Sequence, residues 1–482
     1  MVAVPTYHVE NFGCRATQAD GAALERQFES HGLARTSSAL ADLVILNTCT
    51  VTNSADQDAR SAIRRVQRQN PLAKIIVTGC YAQRAPEEIA ALPGVSAVIG
   101  NSHKHQLAEI VLTNISGPPT SQAERVGFVP LASLGADART LGFETRLLVS
   151  DIFAHTELLA APVFESATAG SHPSDRTRPN LKVQDGCDNR CSFCVIPSVR
   201  GHSRSLPLPQ VIREMNALVA AGYREVVISG INLGRWGRDL DSRESRQPDF
   251  EQLLRAILSE TELEKLRISS VEPMDWTDEV IALVASSPRI AKHAHVPLQS
   301  GSDSVLRRMH RKYRPWHYRE KIEKIRAAMP TAAIGADVMA GFPGETEAEF
   351  DVTRRLISDL PLTYLHVFTY SARPGTPAAA MPNHVPVQVA RERNKILRDL
   401  AAEKKLSFMQ SFIGKPLEAI TLNVTRSDSD GEFTEGLTDN YQKLYLKGHH
   451  EPNRWSTARV EGIQDGAFLA DLSSNLSPTN RG

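Results

Sequence analysis

The sequence predicts an α/β protein built from three folded parts. Its first 110 residues repeat a pattern of strand, cysteine-bearing turn and helix three times, which predicts a parallel α/β sheet domain. Strands and helices alternate again from Leu181 to about Tyr370, which predicts an open barrel of six βα units. Short strands and turns follow, which predict a small all-β barrel. We assign residues 1–115 to the first domain, 116–178 to a linker region, 179–410 to the central barrel, 411–473 to the C-terminal barrel and 474–482 to a disordered tail.

Composition narrows the class of protein. Of the 482 residues, 41% are hydrophobic and 23% are charged, and no apolar run approaches the roughly 20 residues that cross a bilayer. The N-terminus has no signal-peptide pattern, so we expect a cytoplasmic protein without a membrane partner. In that compartment the 6 cysteines indicate metal ligands or catalytic groups before disulfides. The formal net charge of zero gives no global argument for a polyanionic partner.

The N-terminal repeat places a cysteine after each of its strands. Cys14, Cys49 and Cys80 follow the predicted strands Thr6–Glu10, Leu43–Leu46 and Lys74–Val77. The carboxyl ends of parallel strands meet at one edge of a sheet, where such sheets bind ligands. Each cysteine taken alone could be a small buried hydrophobe, but the repeated placement favours one shared site.

The central region has strong strand signals. Its strand candidates are Leu181–Gln184, Glu225–Ile228, Lys265–Ser269, Ala291–Val296, Ala332–Val338 and Tyr364–Phe368. Its helix candidates are Leu208–Ala221, Phe250–Ser259, Tyr318–Ala328 and Glu345–Leu360. Polar residues and glycines follow the strands, at the end of such barrels that carries the active site.

Two further regions are assigned by pattern alone. The linker region contains one strand candidate, Arg146–Ile152. After a helix over Pro386–Phe412, the C-terminal barrel is predicted from Ala419–Val424, Glu435–Leu437, Lys443–Leu446, Ser456–Ile463 and Phe468–Asp471.

Cys187, Cys191 and Cys194 form a CxxxCxxC motif on one short loop. Three such thiolates can hold three irons of a cubane cluster, which leaves the fourth iron open to a small molecule such as S-adenosylmethionine. Phe193 would then lie beside the cluster and the nucleoside, or serve only in packing. A zinc site with His202 as fourth ligand is the competing interpretation.

The loop over residues 184–197 closely resembles the cluster loop of radical SAM methylthiotransferases, and the resemblance extends over nearly the whole chain. It is carried by residues 12–18 (FGCRATQ), 47–53 (NTCTVTN), 78–80 (TGC), 295–303 (HVPLQSGSD), 335–346 (GADVMAGFPGET) and 368–376 (FTYSARPGT). The C-terminal module resembles the TRAM domain of that family, a small RNA-binding barrel. The resemblance therefore implies a radical SAM partial barrel of (β/α)6 form and a TRAM-like barrel.

The resemblance also implies two 4Fe-4S clusters and S-adenosylmethionine as cofactors. The cluster on Cys187, Cys191 and Cys194 would reduce S-adenosylmethionine to methionine and a 5′-deoxyadenosyl radical, which abstracts hydrogen from the substrate. The auxiliary cluster on the other triplet would carry a sulfur atom that a second S-adenosylmethionine methylates. An electron donor such as flavodoxin or ferredoxin and a sulfur donor are the implied partners.

By analogy with the family, further residues are assigned to cofactor binding. They are Phe193, Gly230, Asn232, Ser270, Glu272, Gln299 and Arg204. Arg200 and Arg204 could pair with the cofactor carboxylate or with phosphate, or be solvated surface charges.

The substrate follows from two local resemblances. Residues 47–60 and 436–441 look most like the branch of the family that modifies threonylcarbamoyladenosine at carbon 2, next to the tRNA anticodon. Isopentenyladenosine in tRNA and an aspartate of a ribosomal protein are the alternatives within the family. A non-catalytic iron–sulfur or zinc RNA-binding protein is the alternative outside it. The basic stretch over residues 307–314 is a candidate tRNA contact, or else a solvated helix face.

Overall fold

The computed structural model describes residues 4–115, 146–155, 177–240, 248–428 and 431–472. The chain forms two compact units, which we call the N-terminal and C-terminal units. The N-terminal unit contains Met1–Ala161 and Val195–His202, and the C-terminal unit contains Pro162–Cys194 and Ser203–Gly482. The predicted tail and most of the predicted linker region lie outside the described residues.

The N-terminal unit is a six-stranded parallel sheet with helices. The strands are β1 (Thr6–Asn11), β2 (Ala34–Arg35), β3 (Leu43–Thr48), β4 (Lys74–Gly79), β5 (Val95–Ile99) and β6 (Arg146–Leu148), in the order β2-β1-β3-β4-β5-β6. The helices are α1 (Arg15–Ser30), α2 (Asn53–Gln69), α3 (Cys80–Arg84), α4 (Pro86–Ala90), α5 (Leu107–Ile115) and α6 (Ile196–Arg200), with 3-10 turns at Asn101–Gln106 and Ile152–Ala154.

The alternation of side chains along β3 explains the two cores of this sheet. Val44 and Leu46 pack with Ile63 and Val66 of α2 on one face. Leu43 and Ile45 pack with Leu24 and Phe28 of α1 on the other face. Because successive residues of a strand point to opposite faces, a strand that is apolar throughout must be covered on both sides.

The segment predicted as a linker contributes one strand to this sheet. β6 pairs in parallel with β5, with Leu147 opposite Val98 and Leu148 opposite Ile99. The strand candidate Arg146–Ile152 is therefore three residues long and is followed by the 3-10 turn at Ile152–Ala154. The N-terminal sheet thus receives its last strand from beyond residue 115.

The C-terminal unit begins with the central barrel. Its parallel strands are β7 (Asn180–Lys182), β10 (Glu225–Ser229), β11 (Lys265–Ile268), β12 (His293–His295), β13 (Ala333–Ala340) and β14 (Tyr364–Thr369). They pair as β11-β10-β7 and β12-β13-β14, and the bridges Leu266 to Ile290 and Ser270 to His295 join the two sets. This is the six-unit open barrel that the sequence predicts. A short antiparallel pair, β8 (Gln184–Asp185) and β9 (Arg204–Ser205), flanks the cysteine loop.

Helices follow the barrel strands. They are α7 (Leu208–Ala220), α8 (Phe250–Glu260), α9 (Asp278–Ser286), α10 (Asp303–Arg308), α11 (Pro315–Ala328), α12 (Glu347–Asp359) and α13 (Val387–Gln410). Asp249 and Thr346 begin α8 and α12 with capping boxes, in which a side-chain oxygen accepts from the third backbone N–H of the helix. No helix in the described part of the chain is long and apolar enough to cross a membrane.

The chain ends in a closed five-stranded barrel. Its strands are β15 (Pro416–Asp428), β16 (Gly431–Thr438), β17 (Lys443–Lys447), β18 (Trp455–Gln464) and β19 (Ala467–Leu472), in the order β15-β16-β17-β19-β18. The small all-β barrel of the prediction is therefore present. Arg267 of β11 is fully buried and donates to the carbonyls of Thr438 and Asp439. Burial would raise the pKa of Glu225, but the Arg267 guanidinium beside it holds the pKa below its usual range.

Candidate active site

The first cysteine triplet stands at one edge of the N-terminal sheet. Cys49 directly follows β3, Cys80 directly follows β4, and Cys14 precedes α1 three residues after β1. These three strands are neighbours in the sheet, so their carboxyl ends are adjacent. Cys14 is exposed, whereas Cys49 and Cys80 are buried. The structure thus brings together three thiols that are far apart in the sequence.

A glycine permits the close approach of the Cys14 turn to Cys49. Gly13 has φ of +106°, which favours glycine, and a Cβ atom at this position would lie 2.8 Å from Cys49 Sγ. Any larger residue would therefore push the turn away from the thiols.

The electrostatics of this triplet suit a positively charged iron cluster. Burial, together with the neighbouring Cys80 and Cys14, raises the pKa of Cys49 to about 12. Without a cation, the Cys49 thiol therefore remains protonated, and a cation bound to its sulfur would displace the proton.

Buried polar side chains form a hydrogen-bonded network beside the triplet. Asp20 Oδ2 lies 3.0 Å from both Lys104 Nζ and Arg200 Nη2, and all three side chains are buried. Asn101 Nδ2 donates to Cys80 Sγ over 3.6 Å and to the carbonyl of Val199 over 2.8 Å. Arg200 is buried and its guanidinium pairs with Asp20, so the alternative of a solvated surface charge is wrong for this residue, and the alternative of a cofactor contact stays a prediction.

The second triplet lies on the loop that follows β8. N–H groups donate to its sulfur atoms: Asn189 N lies 3.4 Å and Asn232 Nδ2 3.8 Å from Cys187 Sγ, and Arg311 Nη1 lies 3.2 Å from Cys191 Sγ. Burial raises the pKa of Cys187, and the Asn189 N–H counteracts part of that rise. N–H groups directed at sulfur stabilise thiolates that are bound to iron.

The two triplets fit clusters better than zinc. Among the described residues, neither set brings its three sulfur atoms within 4.8 Å of one another. A single tetrahedral zinc ion requires that closeness, whereas a cubane presents its irons at separate corners. His202, the candidate fourth zinc ligand, belongs to the N-terminal unit, where its ring packs edge-on against Phe153.

Gln184 fixes the cysteine loop against the strand end after β10. Its Nε2 donates to the carbonyls of Asp185 and Gly186, and its Oε1 accepts from Asn232 N over 2.7 Å. A Cβ atom on Gly230 would lie 2.8 Å from the same Oε1. The structure thus brings the predicted residues Gly230 and Asn232 to the loop, and Gln184 holds them there.

Glu272 and Arg311 form the opposite wall. They make an ion pair, and both line a cleft with Asn189, Cys191 and Tyr313. The sequence identified Glu272 but assigned Arg311 only to the basic stretch. Its role beside the cysteines was missed, since Glu272 lies 39 positions away and no local pattern connects the two.

The remaining predicted cofactor residues occupy different positions. Ser270 pairs with His295 in the bridge that joins β11 to β12. Gln299 has φ of +61° and donates its N–H to the carbonyl of Asp337. Arg204 lies opposite Asp185 in the β8-β9 pair beside the cysteine loop, and Phe193 is half-buried within that loop.

The basic stretch is not a free positive surface. Arg307 and Arg314 pair with Asp303, Arg308 pairs with Glu349, and Arg311 is buried against Glu272. The alternative of a solvated helix face is therefore wrong for Arg311, and carboxylates pair with the other three arginines, whereas the tRNA contact of this stretch stays a prediction.

Family models match both units. Residues 6–100 match the model described as "Uncharacterized protein family UPF0004", and residues 181–357 match that of the radical SAM superfamily. Among solved structures, the radical S-adenosylmethionine methyltransferase TsrM from Kitasatospora setae superposes with a TM-score of 0.56 at 16% identity, covering 78% of this chain and 77% of its own. The fold and the cysteine loop thus define a radical SAM protein.

Relatives of known activity define the family more closely. The threonylcarbamoyladenosine tRNA methylthiotransferase MtaB of Bacillus subtilis is 36% identical, covering 92% of this chain and 90% of its own. MtaB of Rickettsia prowazekii is 35% identical, covering 95% of each chain. The tRNA-2-methylthio-N(6)-dimethylallyladenosine synthase of Novosphingobium aromaticivorans is 33% identical, covering 96% of this chain and 95% of its own. The chain belongs to the radical SAM methylthiotransferase family.

Proposed function

We propose that this protein transfers a methylthio group to carbon 2 of N6-threonylcarbamoyladenosine next to the tRNA anticodon. The observation that carries the proposal is the pair of three-cysteine sites in a chain that aligns with MtaB relatives over nearly their whole length. Two resemblances to the same branch, at residues 47–60 and 436–441, support the choice of substrate.

Cys187, Cys191 and Cys194 would hold the cluster that, when bound, supplies an electron and an open iron to S-adenosylmethionine. The N–H groups of Asn189, Asn232 and Arg311 stabilise negative charge on the sulfurs. Glu272 orients Arg311, and Gln184 keeps the loop in place. We assign S-adenosylmethionine binding to Phe193, Arg204, Gly230, Asn232, Ser270, Glu272 and Gln299.

Cys14, Cys49 and Cys80 would hold the auxiliary cluster, which supplies the transferred sulfur when bound. Burial of Cys49 and Cys80 excludes water from that side, and the exposed Cys14 leaves the site open at its rim. Asn101 donates a hydrogen bond toward Cys80 Sγ and so stabilises charge there.

The partners follow from the reaction. The anticodon loop of tRNA is the substrate, and a single-stranded loop offers the base edges and stacking faces that such recognition needs. We assign the C-terminal barrel to RNA contact and the enzyme to the cytoplasm. An electron donor such as flavodoxin or ferredoxin and a separate sulfur donor would complete the cycle.

Nucleoside mass spectrometry of tRNA from a deletion strain tests the proposal. Methylthio-threonylcarbamoyladenosine should disappear, and its unmethylthiolated precursor should accumulate to the same extent. The methylthio derivative of isopentenyladenosine should persist as the internal control. Loss of that derivative instead would favour the dimethylallyladenosine branch, to which a full-length relative also belongs.

A further inference from the structure

Two histidines and one aspartate lie on three adjacent barrel strands. They are His295 of β12, Asp337 of β13 and His366 of β14. Asp337 is directly opposite His366 in the parallel pairing. None of these three side chains has a role at either cysteine triplet in the proposed reaction.

The three side chains converge on one point. His295 Nε2 and His366 Nδ1 each lie 3.3 Å from Asp337 Oδ1, and all three ligand atoms lie within 4.8 Å of one another. Ligand atoms on a tetrahedral zinc ion with bonds of about 2.1 Å are about 3.4 Å apart, so the spacing fits a shared ion. Hydrogen bonds between nitrogen and oxygen are typically shorter, about 2.9 Å.

His295 supplies a second, independent indication. Its Nε2 is buried, and the contact to Asp337 Oδ1 at 3.3 Å does not have the geometry of a good hydrogen bond. A buried polar nitrogen that is poorly satisfied costs free energy, and coordination to a cation shared with Asp337 would satisfy it better. Two imidazoles and one carboxylate are a ligand set for divalent transition metals.

The surroundings hold the three side chains in place. The Tyr364 ring lies 6.0 Å from the His295 ring and 5.4 Å from the His366 ring, between centroids. Gly335 makes room for it, because a Cβ atom there would lie 2.0 Å from Tyr364 Cζ. The backbone of Asp337 accepts from the N–H groups of Leu298 and Gln299. Ligands fixed in this way lose little freedom on metal binding.

Exposure provides a path for an ion. The side chain of His295 is 10% exposed and that of Asp337 is 25% exposed, whereas that of His366 is 54% exposed. An ion can therefore reach the site past His366, while the site remains closed on the side of His295.

We propose that His295, Asp337 and His366 form a binding site for a divalent transition metal, separate from the two iron–sulfur sites. Three protein ligands leave at least one coordination position for water or another oxygen ligand. The site does not depend on which nucleoside the enzyme modifies.

Zinc binding to the holoenzyme tests this site. Protein with both clusters reconstituted anaerobically is titrated with Zn²⁺ against a chromophoric chelator, and zinc and iron are counted after desalting. The wild type should gain one zinc per chain with its iron content unchanged. His366→Ala, a half-exposed position that does not endanger folding, should bind zinc at least tenfold more weakly and retain its iron.

Two further variants separate coordination from structure. Asp337→Asn keeps the shape of the side chain but removes the anionic ligand, and it should also weaken zinc binding at least tenfold. His384→Gln removes an exposed imidazole from the same unit without removing a proposed ligand or a neighbour of one, and it should bind zinc like the wild type. Wild-type zinc affinity in both His366→Ala and Asp337→Asn, or no zinc uptake by the wild type, would overturn the proposal.

Discussion

The two cysteine sites are built in different ways. Cys14, Cys49 and Cys80 come from three strands of one sheet, so their relative positions depend on the packing of the whole N-terminal unit. Cys187, Cys191 and Cys194 share one loop, which is anchored by Gln184 and by bonds from Ser192 to the backbone at the end of α10.

The two cysteine sites also differ in the polar groups that surround their sulfur atoms. At the dispersed triplet, the nearby cations Lys104 and Arg200 are paired with Asp20. The sulfur atoms there meet neutral groups instead: the Asn101 side-chain amide, the Thr17 hydroxyl and the Val51 backbone N–H. At the loop triplet, the cation itself reaches a sulfur atom, since Arg311 Nη1 contacts Cys191 Sγ. The dispersed triplet should therefore lose its cluster when distant substitutions disturb the packing of the N-terminal unit. The loop triplet should instead be sensitive to substitution of the residues that donate hydrogen bonds to its sulfur atoms.

Replacement of the cysteines should give the largest effect and the sharpest division. Changing Cys187, Cys191 and Cys194 to alanine should abolish cleavage of S-adenosylmethionine, because no cluster remains to reduce it. Changing Cys14, Cys49 and Cys80 should preserve cleavage and abolish methylthio transfer.

Iron analysis and chromatography of 5′-deoxyadenosine measure these two outcomes. Each triple variant should retain about four of about eight irons per chain. If both variants lost the same activity and all of their iron, the two sites would not be separate.

Asp20→Asn should weaken the binding of the auxiliary cluster at Cys14, Cys49 and Cys80 and leave the loop site intact. The change leaves Lys104 and Arg200 buried without their shared carboxylate, and breaking a buried pair from one side costs about 3–5 kcal/mol. Chemical unfolding and iron content measure the effect, which should appear as loss of the auxiliary cluster with S-adenosylmethionine cleavage preserved.

The exposed Asp58 of α2 offers a control for this change. Asp58→Asn removes the same charge from the same unit without opening a buried network, so the stability should remain within about 0.5 kcal/mol of the wild type. Equal stability of the two variants would contradict a structural role for Asp20.

The sequence predicted the elements that carry strong local patterns. The six barrel strands were recognisable because buried apolar runs such as Glu225–Ser229 and Ala333–Ala340 alternate with helical segments. The three N-terminal cysteines were placed correctly at strand ends because each directly follows such a run or its turn. β6 could not be recognised with the right length, since only three residues pair and two of them are exposed.

What the sequence missed are contacts between distant positions. Asp20 and Arg200 are separated by 180 residues, and Asn101 and Val199 by 98. No periodicity or motif connects such pairs, because their meeting depends on the return of the chain to the N-terminal unit after the cysteine loop. The position of Arg311 was missed for the same reason: a run of basic residues gives no sign that one of them is buried and paired with the distant Glu272.

Arg311→Met should weaken the loop site through its immediate donor. The change removes the N–H group that contacts Cys191 Sγ and leaves Glu272 without its cation. Loss of an outer-sphere partner typically costs about 10–100-fold in metal affinity or activity. The rate of S-adenosylmethionine cleavage should fall by that factor, whereas the iron of the auxiliary site should remain. The Arg307→Met variant, which removes one partner of an exposed ion pair nearby, should cleave S-adenosylmethionine at the wild-type rate. An equal loss of rate in that variant would mean that the effect comes from the loss of a positive charge and not from the contact with Cys191.

The smallest effects should come from a matched pair of amides, one at each site. Asn101 Nδ2 donates to Cys80 Sγ, and Asn232 Nδ2 donates to Cys187 Sγ. Each alanine variant loses hydrogen bonds worth about 1 kcal/mol each, or roughly a fivefold change in rate. Asn101→Ala should slow methylthio transfer and spare S-adenosylmethionine cleavage, whereas Asn232→Ala should slow cleavage itself, as single-turnover assays of the two products would reveal. If Asn101→Ala also slowed S-adenosylmethionine cleavage, the hydrogen-bond donors of the two cysteine sites would act on the same reaction step. The two sites would then differ in how they are built but not in the step that they serve.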